Sequence, residues 1–281
     1  QHLLPQLHAK HSFETAGDSH GLRRMLWGMF KKVVIADRLA FFVAPVFASP
    51  TDFYGISLMA AAVYFAVQLY SDFSGYVDIA LGAAEVMGIK LTENFNRPYF
   101  SSSVSEFWRR WHISLSSWVR DYIFTPLSFK WRAWGRQGMV GALILTFALV
   151  GLWHGANWTF VVFGLWQGAA VSAELLTRRL TGKLRGSFFK LAGMIYTFAF
   201  WCFSLIFFRA QSLSDAFYIV THLFTGLPGY VRQLFNYTGV GSGLLKPFLL
   251  GRPREEFVIM ATAILLLLAV EWYEAKTSGK Q

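Results

Sequence analysis

The feature that most restricts this chain is a long stretch without charge. Residues 137–173 form 37 consecutive positions with no Asp, Glu, Lys or Arg. As one α-helix the stretch would be about 55 Å long, whereas the hydrocarbon core of a bilayer is about 30 Å thick. It must therefore kink, fold back or cross twice. Gly151, Gly155 and Asn157 lie at its middle and favour a break there.

Basic residues flank this stretch on both sides, as is typical of the cytoplasmic ends of membrane helices. Arg132 and Arg136 precede it. Four more basic residues follow it: Arg178, Arg179, Lys183 and Arg185. The pattern predicts a helical hairpin with both ends in the cytoplasm. His154 would then lie at the turn, deep in the protein or toward the opposite side.

Other uncharged stretches occur at residues 53–71, 191–208 and 257–270, and they point to further membrane helices. Only 15% of the residues are charged, against roughly 25% in an ordinary soluble domain, and 54% are hydrophobic. We expect an all-α, polytopic membrane domain with interfacial and re-entrant helices. No repeat or linker divides residues 1–281, so one domain is the simplest count. Residues 209–256 should form an external loop with short embedded pieces.

The net charge of +10 does not indicate nucleic acid binding. The basic residues form short clusters beside the apolar stretches, such as Arg23-Arg24 and Arg109-Arg110, and no groove-reading motif accompanies them. Because the chain begins with Gln1 and has no secretory signal pattern, we expect it to lack an N-terminal part.

Two segments near the beginning combine apolar and charged residues. Residues 22–48 predict an amphipathic or partly embedded helix that ends near Pro45. The span that begins at Phe53 continues into a stretch whose polar side chains recur at intervals of three and four: Ser71, Ser74, Asp78, Gly82 and Glu85. That face should line a cavity or a protein contact, because carboxylates are costly at membrane depth. For Asp78 and Glu85, a direct role and pairing with a basic residue of a neighbouring helix remain equal alternatives.

A short helix on the membrane surface is predicted after Ser103. Ser103 and Glu106 have capping-box spacing, and Pro126 marks the expected end of the helix. One face would carry an apolar stripe, formed by Trp111, Leu115, Trp118 and Tyr122. The opposite face would carry the polar residues Arg109, His112, Ser116 and Arg120.

His112 and His154 are the candidate catalytic residues, because each lies next to Trp in or beside an apolar segment, where a polar group is costly without a purpose. An imidazole can remove a proton from a hydroxyl near neutral pH. A histidine that only packs and hydrogen-bonds is the more common alternative. No nucleophile elbow or phosphate loop is present. Cys202 is a single cysteine, and the N-terminal histidines lack zinc-ligand spacing, so no metal is expected.

Five sequence motifs resemble those of a known family. They are Tyr-Ser-Asp-Phe-Ser-Gly-Tyr-Val-Asp at 70–78, Asn-Phe-Asn-Arg-Pro-Tyr at 94–99, Glu-Phe-Trp-Arg-Arg-Trp-His-Ile-Ser-Leu at 106–115, Trp-Val-Arg-Asp-Tyr at 118–122 and Trp-His-Gly at 153–155. In this combination the chain resembles membrane-bound O-acyltransferases, in particular the bacterial branch of alginate O-acetylase and the teichoic-acid D-alanyl transfer protein. The resemblance is dense between about residues 70 and 170, and it implies that a first part of the family domain is missing.

The resemblance implies acyl transfer through a membrane-embedded tunnel, with His154 as the catalytic histidine and His112 nearer the cytoplasmic mouth. Six further motif residues are candidates for substrate binding or tunnel lining: Asp78, Trp108, Arg109, Trp111, Trp153 and Asn157. It further implies a bacterial inner-membrane enzyme without a bound cofactor or metal. An acyl thioester, acetyl-CoA or an acyl carrier protein, would be the cytoplasmic donor.

The acceptor implied by the resemblance is an extracellular polysaccharide such as alginate, reached through a separate periplasmic acetyltransferase. His154 would act as a general base or, in a variant mechanism, form an acyl-histidine. A transporter or flippase of polysaccharide precursors is the alternative from another class, but it would predict paired inverted repeats with broken helices. Only one such interruption is evident, at residues 151–157.

Overall fold

The computed structural model describes residues 3–9, 15–181, 186–235 and 243–278, and the regular elements within them are all helical. The α-helices in chain order are α1 (Leu3–Leu7), α2 (Thr15–Met29), α3 (Asp37–Ala48), α4 (Ile56–Val86), α5 (Val104–Arg110), α6 (Ile113–Val119), α7 (Thr125–Lys130), α8 (Gly135–His154), α9 (Trp158–Thr181), α10 (Ser187–Arg209), α11 (Leu213–His222), α12 (Leu227–Phe235), α13 (Lys246–Leu249) and α14 (Arg254–Ser278). Two segments are π-helical, Phe30–Ala36 and Arg120–Phe124. Three are short 3₁₀ turns: Pro50–Asp52, Pro98–Phe100 and Arg132–Trp134.

Five of the described helices are long and apolar enough to cross a membrane: α4, α8 with its preceding turn, α9, α10 and α14. They confirm the all-α, polytopic class predicted from the uncharged stretches. The region between α10 and α14, expected to be a loop with short embedded pieces, contains α11, α12 and α13.

The long uncharged stretch folds back as a helical hairpin, as its length predicted. Helices α8 and α9 run antiparallel and are separated only by residues 155–157. Their backbones approach closely, because a Cβ added at Gly151 would lie 2.2 Å from the carbonyl oxygen of Phe160, and one at Gly164 2.2 Å from that of Phe147. Glycines therefore set the spacing of the two helices.

The helices alternate in direction and define two ends of the bundle. One end, here called the basic end, holds the ends of α4, α9 and α14 and the beginnings of α8 and α10. The arginines that it carries include Arg97, Arg132, Arg136 and Arg178. The opposite end, here called the far end, holds His154 and the helices α11 to α13. There Asn157 donates a hydrogen bond to the carbonyl oxygen of Gln211, and the N–H of Gly55 donates one to His222.

The helix predicted over residues 22–48 is present and is longer than expected. Helix α2, the π-helical segment Phe30–Ala36 and α3 form one continuous helix that begins at Thr15, includes Pro45 and ends at Ala48. It runs antiparallel to α4 along most of its length, from Gly21 beside Gly82 to Phe47 beside Phe65. The added π-helical turns widen the helix between its two α-helical parts.

The predicted polar face of α4 packs against this helix. Asp78 lies 2.6 Å from the Nζ of Lys31 and 3.1 Å from the Nε of Arg24, and Glu85 lies 2.9 Å from the ring of His20. Lys31 is buried, and its Nζ also donates to the hydroxyl of Ser74. Asp78 and Glu85 thus both have basic partners on the neighbouring helix, which agrees with the pairing alternative.

The helix after Ser103 is not a single surface helix, which corrects that prediction. It breaks at Trp111 and His112, where His112 adopts a left-handed φ of 44°. Val104, Phe107 and Trp111 are buried, because α5 packs against α9 and the turn before it against α10. After the break, helical structure continues past Pro126 to Lys130, through the π-helical segment Arg120–Phe124.

The apolar stripe predicted for that helix is consequently split. Trp111 is buried in the bundle, whereas Trp118 and Tyr122 are exposed and stack on each other with ring centroids 5.4 Å apart. The capping interaction at its beginning is confirmed, since the hydroxyl of Ser103 accepts a hydrogen bond from the N–H of Glu106.

The close approach of α2 and α4 yields a stability prediction. A Cβ at Gly28 would lie 2.6 Å from the carbonyl oxygen of Gly75 and 2.9 Å from the side chain of Ile79. Gly28→Ala should therefore destabilise the protein by about 1–3 kcal/mol through overpacking. The matched control is Gly229→Ala, where nothing lies within 4 Å of the added Cβ. The measurement is the thermal unfolding midpoint of the detergent-solubilised full-length protein; equal midpoints for the two variants would show that the helices do not approach this closely.

Candidate active site

His154 is the last residue of α8, at the turn of the hairpin. The turn is held by Asn157, whose side-chain oxygen accepts from the N–H of Thr159 at 3.1 Å and whose amide nitrogen donates to the carbonyl of Gln211 at 3.3 Å. Asn157 thus caps α9 and ties the turn to the loop after α10. Gly155 is needed as well, because a Cβ there would lie 2.7 Å from the ring of Phe160.

The partly buried imidazole of His154 is surrounded by aromatic rings. The nearest centroids are those of Trp153 at 4.9 Å and Phe208 at 5.0 Å, followed by Phe160 and Phe163 at 6.3 Å each. Within the described residues, neither ring nitrogen has a hydrogen-bond partner or a carboxylate beside it. The rings therefore fix the imidazole by packing and leave its nitrogens available to a substrate.

His112 lies at the break between α5 and α6 and is held by the loop before α5. Its Nδ1 is 3.4 Å from the side-chain oxygen of Asn94, and its ring meets Phe73 edge-on at 4.8 Å. The same Asn94 oxygen accepts from the N–H and hydroxyl of Ser114, and the Asn94 carbonyl accepts from the N–H of Ile113. Burial lowers the pKa of the His112 imidazole below its ordinary value of 6.5. Burial therefore favours the neutral form of the His112 imidazole.

An aromatic cluster joins the two histidines. Trp111, beside His112, lies 5.0 Å from Trp201 on α10, which lies 6.0 Å from Phe163 on α9, and Phe163 contacts His154. Trp108 packs against Trp201 as well, at 6.1 Å. The two candidate histidines thus flank one continuous apolar wall built from three helices.

A buried amide fixes α5 within this wall. The side chain of Gln167 on α9 accepts from the indole N–H of Trp108 at 3.1 Å and donates to the hydroxyl of Ser204 on α10 at 2.8 Å. Ser204 in turn donates to the carbonyl oxygen of Trp201. Because Gln167 is fully buried, each of its bonds replaces one that water would have made.

A carboxylate from the hairpin caps the beginning of α5. Glu174 on α9 accepts hydrogen bonds from the N–H groups of Val104 and Ser105, at 2.6 and 2.9 Å. These N–H groups have no partner inside their own helix, so the carboxylate satisfies their hydrogen bonds. Its negative charge also interacts favourably with the positive end of the helix dipole. Gln167 and Glu174 therefore attach α5, and with it Trp111 and His112, to the hairpin that ends in His154.

The remaining predicted site residues lie elsewhere. Asp78 lines a charged cavity of about 650 Å³ at the basic end, together with Arg24, Lys31 and Glu271, and this cavity reaches Ile113, the residue after His112. Glu271 accepts a hydrogen bond from the hydroxyl of Tyr70 there. Arg109 is exposed on α5. The structure thus groups Trp153 and Asn157 with His154, and Trp108 and Trp111 with His112. Asp78 pairs with Arg24 and Lys31 and forms no ion pair or hydrogen bond with either histidine among the described residues.

Three positioning residues were not identified as site residues from the sequence. Asn94 is the first residue of the motif at 94–99, and its place in a family motif could have marked it as a site residue. Gln167 lies within the long uncharged stretch, where a lone amide could have been noticed as costly. Glu174 is the first charged residue after that stretch and resembles an ordinary helix-end residue, so the sequence contains no sign of its contact with α5.

The chain matches the family model described as MBOAT, membrane-bound O-acyltransferase family, over residues 17–214. It is 37% identical over 233 residues to the "Probable alginate O-acetylase AlgI" of Pseudomonas aeruginosa, which covers 81% of this chain and 43% of that protein. It is 38% identical over 206 residues to the "Peptidoglycan O-acetyltransferase" of Helicobacter pylori, which covers 72% of this chain and 38% of that protein. The matched part is thus less than half the length of either relative.

A shorter match is found with the "Teichoic acid D-alanyltransferase" of Bacillus subtilis. The two are 43% identical over 97 residues, which is 32% of this chain and 24% of that protein. The names of the three relatives therefore give three different acceptors: alginate, peptidoglycan and teichoic acid.

The buried amide predicts a specific stability loss. Gln167→Leu removes the hydrogen bonds to Trp108 and Ser204 and leaves the indole N–H of Trp108 buried without an acceptor. The free energy of unfolding should therefore fall by about 1–3 kcal/mol. Gln137→Leu is the matched control, because Gln137 is exposed on α8. The test is the unfolding midpoint of both variants with tryptophan fluorescence as the probe. An unchanged midpoint for Gln167→Leu would contradict the role of this residue in holding α5.

Proposed function

The chain belongs to the membrane-bound O-acyltransferase family, and we propose that it transfers an acyl group from a thioester to a hydroxyl with His154 as the general base. The observation that carries the proposal is the geometry of His154. An imidazole whose nitrogens have no partner among the described residues stands at a helix break, against an aromatic wall, and is partly exposed at the far end. A base with these properties can accept a proton without competing partners.

In the proposed reaction His154 takes the proton of the acceptor hydroxyl while the hydroxyl oxygen attacks the thioester carbonyl. The carbon–sulfur bond then breaks, and the departing thiolate takes the proton back from the imidazolium. The oxygen ester and the free thiol are the products, so charge and protons balance. In this proposal His112, whose neutral form is favoured by burial, lies at the other side of the aromatic wall and helps to shape the membrane-embedded tunnel that the family resemblance implies.

We assign an extracytoplasmic polysaccharide as the final acceptor and acetyl as the acyl group. The support is that two of the relatives are named as O-acetylating enzymes of alginate and peptidoglycan. A separate periplasmic acetyltransferase would complete the transfer. The protein would lie in the bacterial inner membrane, with the basic end in the cytoplasm because arginines gather at that end. Acetyl-CoA or an acyl carrier protein would supply the thioester there. Neither the donor nor the acceptor requires a bound cofactor or metal in this scheme.

The first test replaces the base. His154→Gln in the full-length protein keeps part of the size and hydrogen bonding of the imidazole but cannot accept and return a proton, so acetylation of the polymer should fall about 10²–10⁴-fold. The matched control is His222→Gln on α11, where the ring stacks on Tyr218 at the far end. Both variants are checked for expression and for a monodisperse profile in detergent. Near-normal acetylation by well-folded His154→Gln would make His154 a structural residue and would refute the mechanism.

The second test concerns sidedness. In a Cys202→Ala background, single cysteines replace Trp134, Arg178 and Trp158, all of which are exposed. Because α8 and α9 form a hairpin, a membrane-impermeant thiol reagent should reach positions 134 and 178 from the cytoplasm and position 158 from the opposite side. Labelling of 134 and 178 from different sides of the membrane would contradict the hairpin orientation and, with it, donor entry at the basic end.

A further inference from the structure

A small pocket lies at the basic end, between α7 and the beginning of α8. Its volume is about 440 Å³, and it lies apart from both histidines. Its lining consists of two arginines, a hydroxyl, a glycine and two apolar side chains: Arg132, Arg136, Ser128, Gly135, Phe129 and Met139. None of these residues takes part in the proposed acyl transfer.

The two arginines of this pocket have no carboxylate partner among the described residues. Neither Arg132 nor Arg136 forms an ion pair with a carboxylate within the part of the chain that the structure describes, and both are exposed. By contrast, Arg110 and Arg120 on the preceding helices are paired with Glu106 and Asp121. The pocket therefore presents two positive charges, one from the 3₁₀ turn Arg132–Trp134 and one from the first turn of α8, that are available to an anion from outside.

The surroundings of the arginines are those of a membrane interface. Phe129 and Trp134 are each 64% exposed and Met139 is 41% exposed. Trp131 stacks on Trp134 at 5.8 Å beside the arginines. Large aromatic residues next to basic ones are typical of the headgroup level of a bilayer. Below them α8 continues with Met139 and Leu143, which are three and seven residues after Arg136 and therefore lie on the same side of the helix.

We propose that this pocket binds the headgroup of an anionic phospholipid. The phosphodiester would lie between the two guanidinium groups, whose planar forks suit phosphate oxygens, and the acyl chains would follow Met139 and the apolar side of α8. A lipid is favoured over a soluble anion because the pocket opens onto exposed apolar side chains, which hydrocarbon covers and water does not. Basic pockets at the cytoplasmic ends of membrane helices are suited to such lipids.

The position of the pocket gives this lipid a structural consequence. Between Arg136 and His154, α8 rises by about 27 Å, which is close to the roughly 30 Å of the hydrocarbon core. A lipid held at Arg132 and Arg136 would therefore fix the depth of α8 so that His154 lies at the opposite boundary of the hydrocarbon. The site is independent of the acyl-transfer chemistry and can be tested without it.

The test is native mass spectrometry of the full-length protein in detergent, titrated separately with phosphatidylglycerol, phosphatidylcholine and inorganic phosphate. We expect adducts with phosphatidylglycerol that survive at concentrations where the other two give none. The double variant Arg132→Gln, Arg136→Gln should weaken this binding roughly 25-fold, at a factor of about five for each arginine. The double variant Arg132→Lys, Arg136→Lys keeps the charges and should retain most of the binding.

The matched control removes the same number of charges close by but outside the pocket, with Arg120→Gln and Lys130→Gln, and it should bind phosphatidylglycerol like the unchanged protein. Several outcomes overturn the proposal. They are equal binding of phosphatidylcholine, equal binding of inorganic phosphate, and equal loss of binding in the control and in the pocket variant.

A Gln variant that does not fold is replaced by the Lys variant together with Met139→Gln, which places an amide where the acyl chains would lie. Undiminished lipid binding by that variant would also refute the site.

Discussion

The architecture depends on the need to satisfy every backbone N–H and C=O group where water is absent. Unbroken helices do this by themselves, so a break needs outside partners. Both candidate histidines lie at breaks, and an asparagine supplies those partners in each case. Asn94 holds the backbone around His112, and Asn157 caps α9 beside His154. The two catalytic candidates are thus placed where the backbone leaves helical geometry, and the protein tolerates the breaks because neighbouring segments complete the hydrogen bonds.

The same requirement applies to charge. A single ion moved out of water costs several kcal/mol unless a partner compensates it. Lys31 is buried, and Asp78 and Ser74 provide that compensation from α4. Glycines make the pairing possible, since Gly28 and Gly75 let the two helices approach until short contacts form. The helix from Thr15 to Ala48 consequently follows α4 although its composition is too charged for it to stand among the five apolar helices.

What the sequence could predict follows from these rules. The hairpin of α8 and α9 was predictable because a run of 37 uncharged residues exceeds the thickness of a bilayer, and the break at residues 155–157 was marked by Gly155 and Asn157. The packing of α5 was not predictable, because an aromatic stripe fits a lipid surface and a protein interior equally well. Only the distant partners Gln167 and Glu174, which no local pattern connects to α5, decide between them.

The apolar setting of His154 has a consequence for the proposed chemistry. In a catalytic triad a carboxylate stabilises the imidazolium that forms during the reaction. Among the described residues His154 has aromatic rings beside it and no carboxylate. A lasting positive charge would be costly there, whereas a proton held only between attack by the hydroxyl and departure of the thiolate needs no permanent counter-charge. The aromatic wall therefore favours a step in which the same imidazole returns its proton to the leaving thiolate at once, with the substrate's own developing negative charge as the partner of the imidazolium.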